Sequence, residues 1–141
     1  MMVFDTNVVS ELMKSSRSFA MMAWISSLAA DDVFTTSVTG AEILYRIEIL
    51  PKGNRRDQLL RQAEGTFVGD FGDRVLPFDE PAAREYGKIA SERRRVGRPI
   101  PFADAQIAAI TKANGAMLAT RNTGDFEGCG LNLINPWKPE R

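Results

Sequence analysis

The sequence has no histidine and a single cysteine, Cys129, among its 141 residues. Without histidine, a Ser-His-Asp or Cys-His nucleophile pair, a paired-histidine ribonuclease mechanism and zinc sites with histidine ligands are all excluded. One thiol cannot form a disulfide within the chain or supply a thiolate zinc cage. Any catalysis by this protein must therefore rely on other side chains.

Net charge and long apolar runs are also missing. The 18 basic residues balance the 18 acidic ones, so any contact with nucleic acid requires a local basic patch. No stretch approaches the roughly 18 apolar residues of a membrane span. Strand-like sequence begins at Met2, which leaves no room for a signal peptide. We expect a cytoplasmic protein without membrane contacts, folded as one domain over residues 1–141.

Short apolar segments alternate with helical patterns along the chain. The segments typical of strands are 2–4, 33–37, 75–78, 117–120 and 131–134. The patterns typical of helices are 6–13, 19–28, 41–50, 55–68, 79–96 and 104–113. This alternation predicts an α/β fold, a three-layer α/β/α sandwich with a central, mostly parallel sheet.

Four acidic residues follow the predicted strands or begin the predicted helices. They are Asp5 after the first strand, Glu42 after the second, Asp104 at the last helix start and Asp125 after the fourth strand. Because ligands of open α/β sheets collect at the carboxyl ends of strands, we expect these carboxylates to meet. Clustered carboxylates must protonate or bind a cation. Ligands that are all oxygen favour Mg²⁺ or Mn²⁺ over zinc.

Each acid also has a purely structural interpretation. Thr39-x-x-Glu42 matches a capping box, and each of the three aspartates could cap or charge a helix N-terminus. Taken singly, caps are the more common explanation, whereas the four acids together favour a metal site. The polar neighbours either contact the carboxylates and a substrate phosphate or stabilise turns; they are Thr6, Asn7, Thr120 and Asn122.

The ordered motifs resemble those of the PIN domain, in particular the VapC/FitB-like group of bacterial toxins, over essentially the whole chain. The motifs are Asp5-Thr6-Asn7, Thr39-x-x-Glu42, Pro101-x-x-Asp104, Thr120-Arg121-Asn122-x-x-Asp125-Phe126 and Asn135-Pro136-Trp137. The resemblance implies a metal-dependent endoribonuclease, the toxin of a type II toxin–antitoxin system, and a homodimer. It also implies inhibition by a cognate antitoxin whose basic side chain enters the acidic pocket. Operator DNA would be bound only through that antitoxin.

The resemblance assigns the core acids to Asp5, Glu42 and Asp104. Some family members place the fourth acid at the position of Asn122 and others at that of Asp125, so both assignments stay open. We take Asp125 as the ligand and Asn122 as a substrate contact. The expected reaction is hydrolysis of RNA phosphodiester bonds by a water that Mg²⁺ or Mn²⁺ activates.

RNA that approaches an acidic pocket needs positive charge along its path. Arg98 and Arg121 are the preferred phosphate contacts because they lie near Asp104 and Asp125 in the sequence. Arg46 is a further candidate. The run of arginines at positions 93–95 could also contact phosphate, but a solvated helix face is the preferred interpretation.

Two other functions are compatible with parts of the pattern. An aspartyl-phosphate phosphatase also places acids after its first strand, but its Asp-x-Asp opening is here Asp5-Thr6-Asn7, which lacks the second acid. A non-catalytic component of a DNA-bound antitoxin complex would use the pocket only to receive an antitoxin arginine. The intact set of four acids argues against that alternative.

Overall fold

The computed structural model describes residues 1–139, so the last two positions of the expected 1–141 domain lie outside the described residues. Its sheet has five strands, all pairing in parallel in the order β3-β2-β1-β4-β5. The strands are β1 (Met2–Phe4), β2 (Val33–Thr36), β3 (Val75–Leu76), β4 (Met117–Ala119) and β5 (Leu133–Ile134). The predicted α/β fold with a parallel sheet is confirmed.

Six α-helices connect these strands within residues 1–139. They are α1 (Thr6–Leu12), α2 (Phe19–Ser26), α3 (Ser37–Glu48), α4 (Asn54–Glu64), α5 (Glu80–Arg95) and α6 (Phe102–Ala113). A π-helix covers Gly65–Phe71, and short 3₁₀ turns cover Ala30–Asp32 and Thr123–Phe126. None of these helices combines the length and the apolar character that a membrane span requires.

The buried side chains of β1 alternate between the two faces of the sheet. Met2 and Phe4 pack in one core with side chains from α1 to α4, whereas Val3 packs in a second core with α5 and α6. Successive side chains of a strand point to opposite faces, so a short apolar strand can serve two cores. The helices therefore form a layer on each side of the sheet, as the three-layer sandwich requires.

Three helices begin earlier than the predicted residues 41, 55 and 104; the observed first residues are Ser37, Asn54 and Phe102. Helix α3 begins at Ser37 because Thr36 is its N-cap and accepts a hydrogen bond from the Thr39 amide at 3.0 Å. Thr39 is therefore a buried residue inside the helix, and the capping box with Glu42 does not form. Helix α4 begins at Asn54, one residue before the predicted range, and Gly53 is its N-cap. The φ of Gly53 is 152°, a conformation that residues with a side chain rarely adopt.

The strand order places a topological switch beside β1. The chain proceeds from β1 to β2 and β3 on one side of the sheet, then returns to add β4 and β5 on the other. Connections leaving β1 and β4 at their carboxyl ends therefore diverge, which opens a crevice between them. Asp5 follows β1 and Thr120 follows β4, so both lie at this crevice.

Candidate active site

Asp5 occupies the junction between β1 and α1. Its main-chain amide continues the sheet by donating to the Ala119 carbonyl oxygen at 3.1 Å. Its carboxylate is the N-cap of α1 and accepts a hydrogen bond from the Val8 amide at 3.1 Å. The Thr120 side chain also acts on this carboxyl, since its hydrogen-bonding group lowers the pKa of Asp5 against the effect of burial. The expected helix cap is thus real, and the same carboxylate also faces the crevice.

Glu42 reaches the crevice from α3 and is held by a pair of threonines. The Thr6 hydroxyl donates to Glu42 Oε1 at 2.5 Å, and Thr6 Oγ1 lies 3.2 Å from Thr39 Oγ1. A hydroxyl has only one proton, so Thr39 must be the donor to Thr6. The two buried hydroxyls thereby form a directed chain that ends on the Glu42 carboxylate.

Asp104 and Asp125 enter from the opposite side of the crevice. Asp104 lies in the first turn of α6 and is half-buried. Asp125 is exposed and lies in the 3₁₀ turn that follows β4. Neither carboxylate caps its helix, because no side-chain cap bond forms at either N-terminus. Capping therefore fails for these two acids, whereas the alternative that each places negative charge in the first turn of its helix is confirmed.

The four carboxylates line one pocket of about 200 Å³. They come from four separate segments of the chain, as the strand-end pattern predicts. The remaining lining residues are Thr6, Asn7, Arg46, Ile107, Asn122 and Phe126. The pocket thus combines acidic groups with amide and hydroxyl groups and one arginine.

Burial and repulsion between neighbouring carboxylates raise the pKa of Asp5 and of Asp104. Burial raises the pKa of Asp5 to about 6, and the nearby Asp104 charge adds to that rise. Burial also raises the pKa of Asp104, with further contributions from Glu42 and Asp125. Ionised carboxylates in such surroundings are stabilised by a cation. The pocket is therefore suited to bind positive charge.

The donor set fits a hard, hydrated divalent ion. All four acids offer oxygen, the ligand atom of Mg²⁺ and Mn²⁺. Across residues 1–139, however, no three acidic or thiol side chains already converge on one ion position. Mg²⁺ commonly keeps several waters and takes only one or two carboxylates directly. The arrangement therefore suits an ion bound partly through water rather than in a preformed cage.

Comparison with known proteins agrees with this geometry. The family model described as PIN domain matches residues 2–128. This chain belongs to the PIN-domain family. Among its relatives, the VapC ribonuclease Y4jK of Sinorhizobium fredii is 40% identical over 99% of both chains. Toxin FitB of Neisseria gonorrhoeae is 36% identical over 97% of this chain and 99% of its own. The PIN domain described here is thus of the VapC/FitB-like type.

A solved structure extends the similarity to three dimensions. The FitAB complex bound to the IR36 DNA fragment contains a chain that superposes with a TM-score of 0.91 at 35% identity. The match covers 100% of this chain and 99% of that one. The fold is therefore shared over the full length of both chains.

Two arginines predicted to contact phosphate lie outside the lining of the PIN-domain pocket. The Arg98 guanidinium donates to the Gly124 carbonyl oxygen at 3.2 Å and lies 3.7 Å from the Glu127 carboxylate. The Arg121 guanidinium lies over the Trp137 ring, 4.8 Å from its centroid. Both side chains support neighbouring loops in this conformation, and their role toward RNA stays a prediction.

The solvated-face interpretation of the 93–95 run is wrong for Arg93, which is only 5% exposed. Its guanidinium donates to the main-chain oxygens of Asp125 at 2.9 Å and Glu127 at 3.2 Å. The pattern of α5 contained this information, since Arg93 follows the buried Ile89 by four residues on the face that also carries Ala82.

Proposed function

We propose that this PIN domain is a metal-dependent endoribonuclease and the toxin of a type II toxin–antitoxin system. The observation that carries the proposal is the convergence of Asp5, Glu42, Asp104 and Asp125 on one pocket at the carboxyl ends of β1 and β4. The name of the VapC ribonuclease relative supports RNA as the substrate. Because the sequence has no histidine, a histidine-based acid–base mechanism is excluded, and catalysis by carboxylates with a metal ion is favoured.

The four carboxylates would hold one or two Mg²⁺ or Mn²⁺ ions, directly or through water. When bound, such an ion supplies Lewis-acid stabilisation of phosphate charge and lowers the pKa of a water molecule. Thr6 orients Glu42, and Thr120 with the Val8 amide orients Asp5. The Asn7 and Asn122 amides line the pocket and can donate to a phosphate or ribose oxygen. Arg46 adds positive charge at the rim.

The partners follow from the solved relative, in which FitAB is bound to a DNA fragment. We propose that this chain binds a cognate antitoxin whose basic side chain enters the acidic pocket, and that it reaches operator DNA only through that antitoxin.

We further propose that residues 1–141 form one domain and that the protein is a homodimer. We also propose that the protein acts in the cytoplasm without membrane contact. The exposed Leu44 and Tyr45 of α3, with Ile49 at its C-cap, offer apolar surface for self-association.

The decisive experiment is cleavage of total RNA by purified, antitoxin-free protein with Mn²⁺, Mg²⁺ or EDTA. Asp104→Asn tests the pocket, and Asp73→Asn is the matched control because Asp73 is exposed in a turn that does not line it. We expect cleavage with either metal, none in EDTA or in Asp104→Asn, and full activity in Asp73→Asn. Absence of cleavage by the folded protein with every metal would favour the non-catalytic antitoxin-binding component instead.

A further inference from the structure

A second, larger concavity adjoins the acidic pocket. Its volume is about 670 Å³, and it lies between the end of α1 with the following loop, helix α3 and helix α4. Arg46 lines both this concavity and the acidic pocket. On α3, Glu42 faces the pocket, whereas Ile43 and Ile47 face the larger concavity. The two hollows therefore meet along one helix, at the Arg46 side chain.

Positive charge is concentrated in this concavity, which we call the basic groove. Lys14, Arg17, Arg46 and Arg55 line it, and no carboxylate does. Lys14 is paired with the buried Glu11 at 3.0 Å. For the three arginines, no ion pair with a carboxylate forms within residues 1–139. Since the whole chain has no net charge, this accumulation is local.

The other lining residues suit a nucleic-acid strand. Hydroxyl and amide groups that can donate to phosphate oxygens come from Ser10, Ser15, Ser16, Gln58 and Gln62. The Gln62 amide also donates to the Met13 carbonyl oxygen at 2.5 Å, which ties α4 to the end of α1 and fixes one wall. Apolar side chains such as Leu59 provide a surface that bases can contact.

We propose that the basic groove binds the RNA backbone on one side of the scissile phosphate. A strand whose scissile phosphate lies at the four acids must leave the pocket. Over Arg46 it enters a surface of guanidinium groups that form no ion pair with a carboxylate within residues 1–139. This inference rests on the proposed function for the identity of the scissile site. An acidic protein segment would also match the charge of the groove, but RNA is favoured because its backbone continues from the proposed cleavage site at the four acids into the groove.

Binding of a labelled, mixed-sequence single-stranded RNA, measured by fluorescence anisotropy in EDTA over a range of salt, tests the groove without requiring cleavage. We expect Arg17→Gln and Arg55→Gln each to weaken binding several-fold for any RNA sequence. Each should also reduce the slope of log affinity against log salt by roughly 0.7, the value for one lost single-strand phosphate contact. Arg61→Gln is the matched control, because Arg61 is exposed on α4 but does not line the groove.

Slopes equal to that of the wild type, an equal loss in Arg61→Gln, or no RNA binding by the folded wild type would overturn the proposal. A polyglutamate peptide is the second probe: if it binds as tightly as RNA and loses affinity in the same variants, the groove serves an acidic protein segment and the proposal fails. Cleavage that persists with unchanged slopes rejects the groove alone. Reduced slopes without metal-dependent cleavage retain RNA binding at the groove and reject the nuclease.

Discussion

The buried guanidinium of Arg93 donates a hydrogen bond from Nη1 to the main-chain oxygen of Asp125, 2.9 Å away. Its Nε donates to the main-chain oxygen of Arg98 at 2.7 Å, in the loop before α6. Its charge also acts to lower the pKa of Asp104, against the burial that raises it. One side chain of α5 thus supports both acids on that side of the pocket without lining it.

Replacing Arg93 should therefore affect stability and activity together. Arg93→Met leaves buried carbonyl oxygens without their donor, and we expect a loss of about 2–4 kcal/mol in the free energy of unfolding. RNA cleavage by the remaining folded protein should also fall, because the turn that carries Asp125 loses its anchor. Urea unfolding and a cleavage assay below the transition measure the two effects. Arg94→Met, at the exposed neighbouring position, should stay within about 0.5 kcal/mol of wild type.

The hydroxyl chain from Thr39 through Thr6 to Glu42 makes a second prediction. Thr6→Val keeps the shape of the side chain but removes the donor to Glu42, so the carboxylate loses its fixed orientation. We expect cleavage to fall by about 10- to 100-fold, as is typical when a partner of a metal-binding group is lost. Thr6→Ser restores the hydroxyl and should recover most of the activity. Equal activity of the valine and serine variants would show that this hydrogen bond does not position Glu42.

The raised pKa of Asp5 predicts how stability depends on pH in the absence of metal. Burial raises the pKa of Asp5 to about 6 in the folded protein, against about 3.9 for an ordinary aspartate. Between about pH 4 and pH 6 the folded protein binds more protons than the unfolded chain, so this group lowers stability as pH rises. The loss of stability caused by ionising the buried Asp5 is complete above about pH 6 and absent below about pH 4.

Asp5→Asn tests this dependence, since asparagine can still cap α1. In EDTA at pH 7 the variant should be more stable than wild type by roughly 1–3 kcal/mol, and the difference should vanish toward pH 4. Chemical unfolding of both proteins at several pH values gives the difference directly. A difference that is constant with pH would mean that Asp5 ionises normally in the folded state.

Divalent ions should stabilise the folded protein through the same pocket. At a concentration about 100-fold above its dissociation constant, Mn²⁺ should add about 2.7 kcal/mol to the free energy of unfolding, and EDTA should reverse the gain. Asp104→Asn should lose most of this gain, whereas Asp73→Asn should keep it. A full Mn²⁺ effect in Asp104→Asn would place the ion elsewhere on the protein.

Much of the pocket was predictable because each acid lies beside a short apolar strand or a helix start. The parallel topology then brings those strand ends together, so Asp5 and Asp125 could be grouped without knowing any distance. The local sequence did not predict the start of α3, because two nearby residues are both suitable N-caps. Thr36 and Thr39 are both good cap residues, and only the end of β2 decides that Thr36 is used.

The contacts of the arginine side chains were less predictable, because a long side chain can reach partners far away in the sequence. The buried Arg93 donates hydrogen bonds to carbonyl oxygens more than 30 residues away in the sequence. The Arg121 guanidinium lies over the Trp137 ring. Neither partner follows from the local sequence. The basic groove likewise combines residues from three separate segments, which no single charge run reveals.

The central position of β1 also governs when the pocket can exist during translation. Because β1 is the first strand synthesised, Asp5 emerges early, yet its amide partner Ala119 and its side-chain partner Thr120 come near the end of the chain. A nascent chain that stops before β4 lacks half of the crevice. Assembly of the four acids therefore waits until β4 and Asp125 have been synthesised, so on the proposed function an unfinished chain would lack nuclease activity.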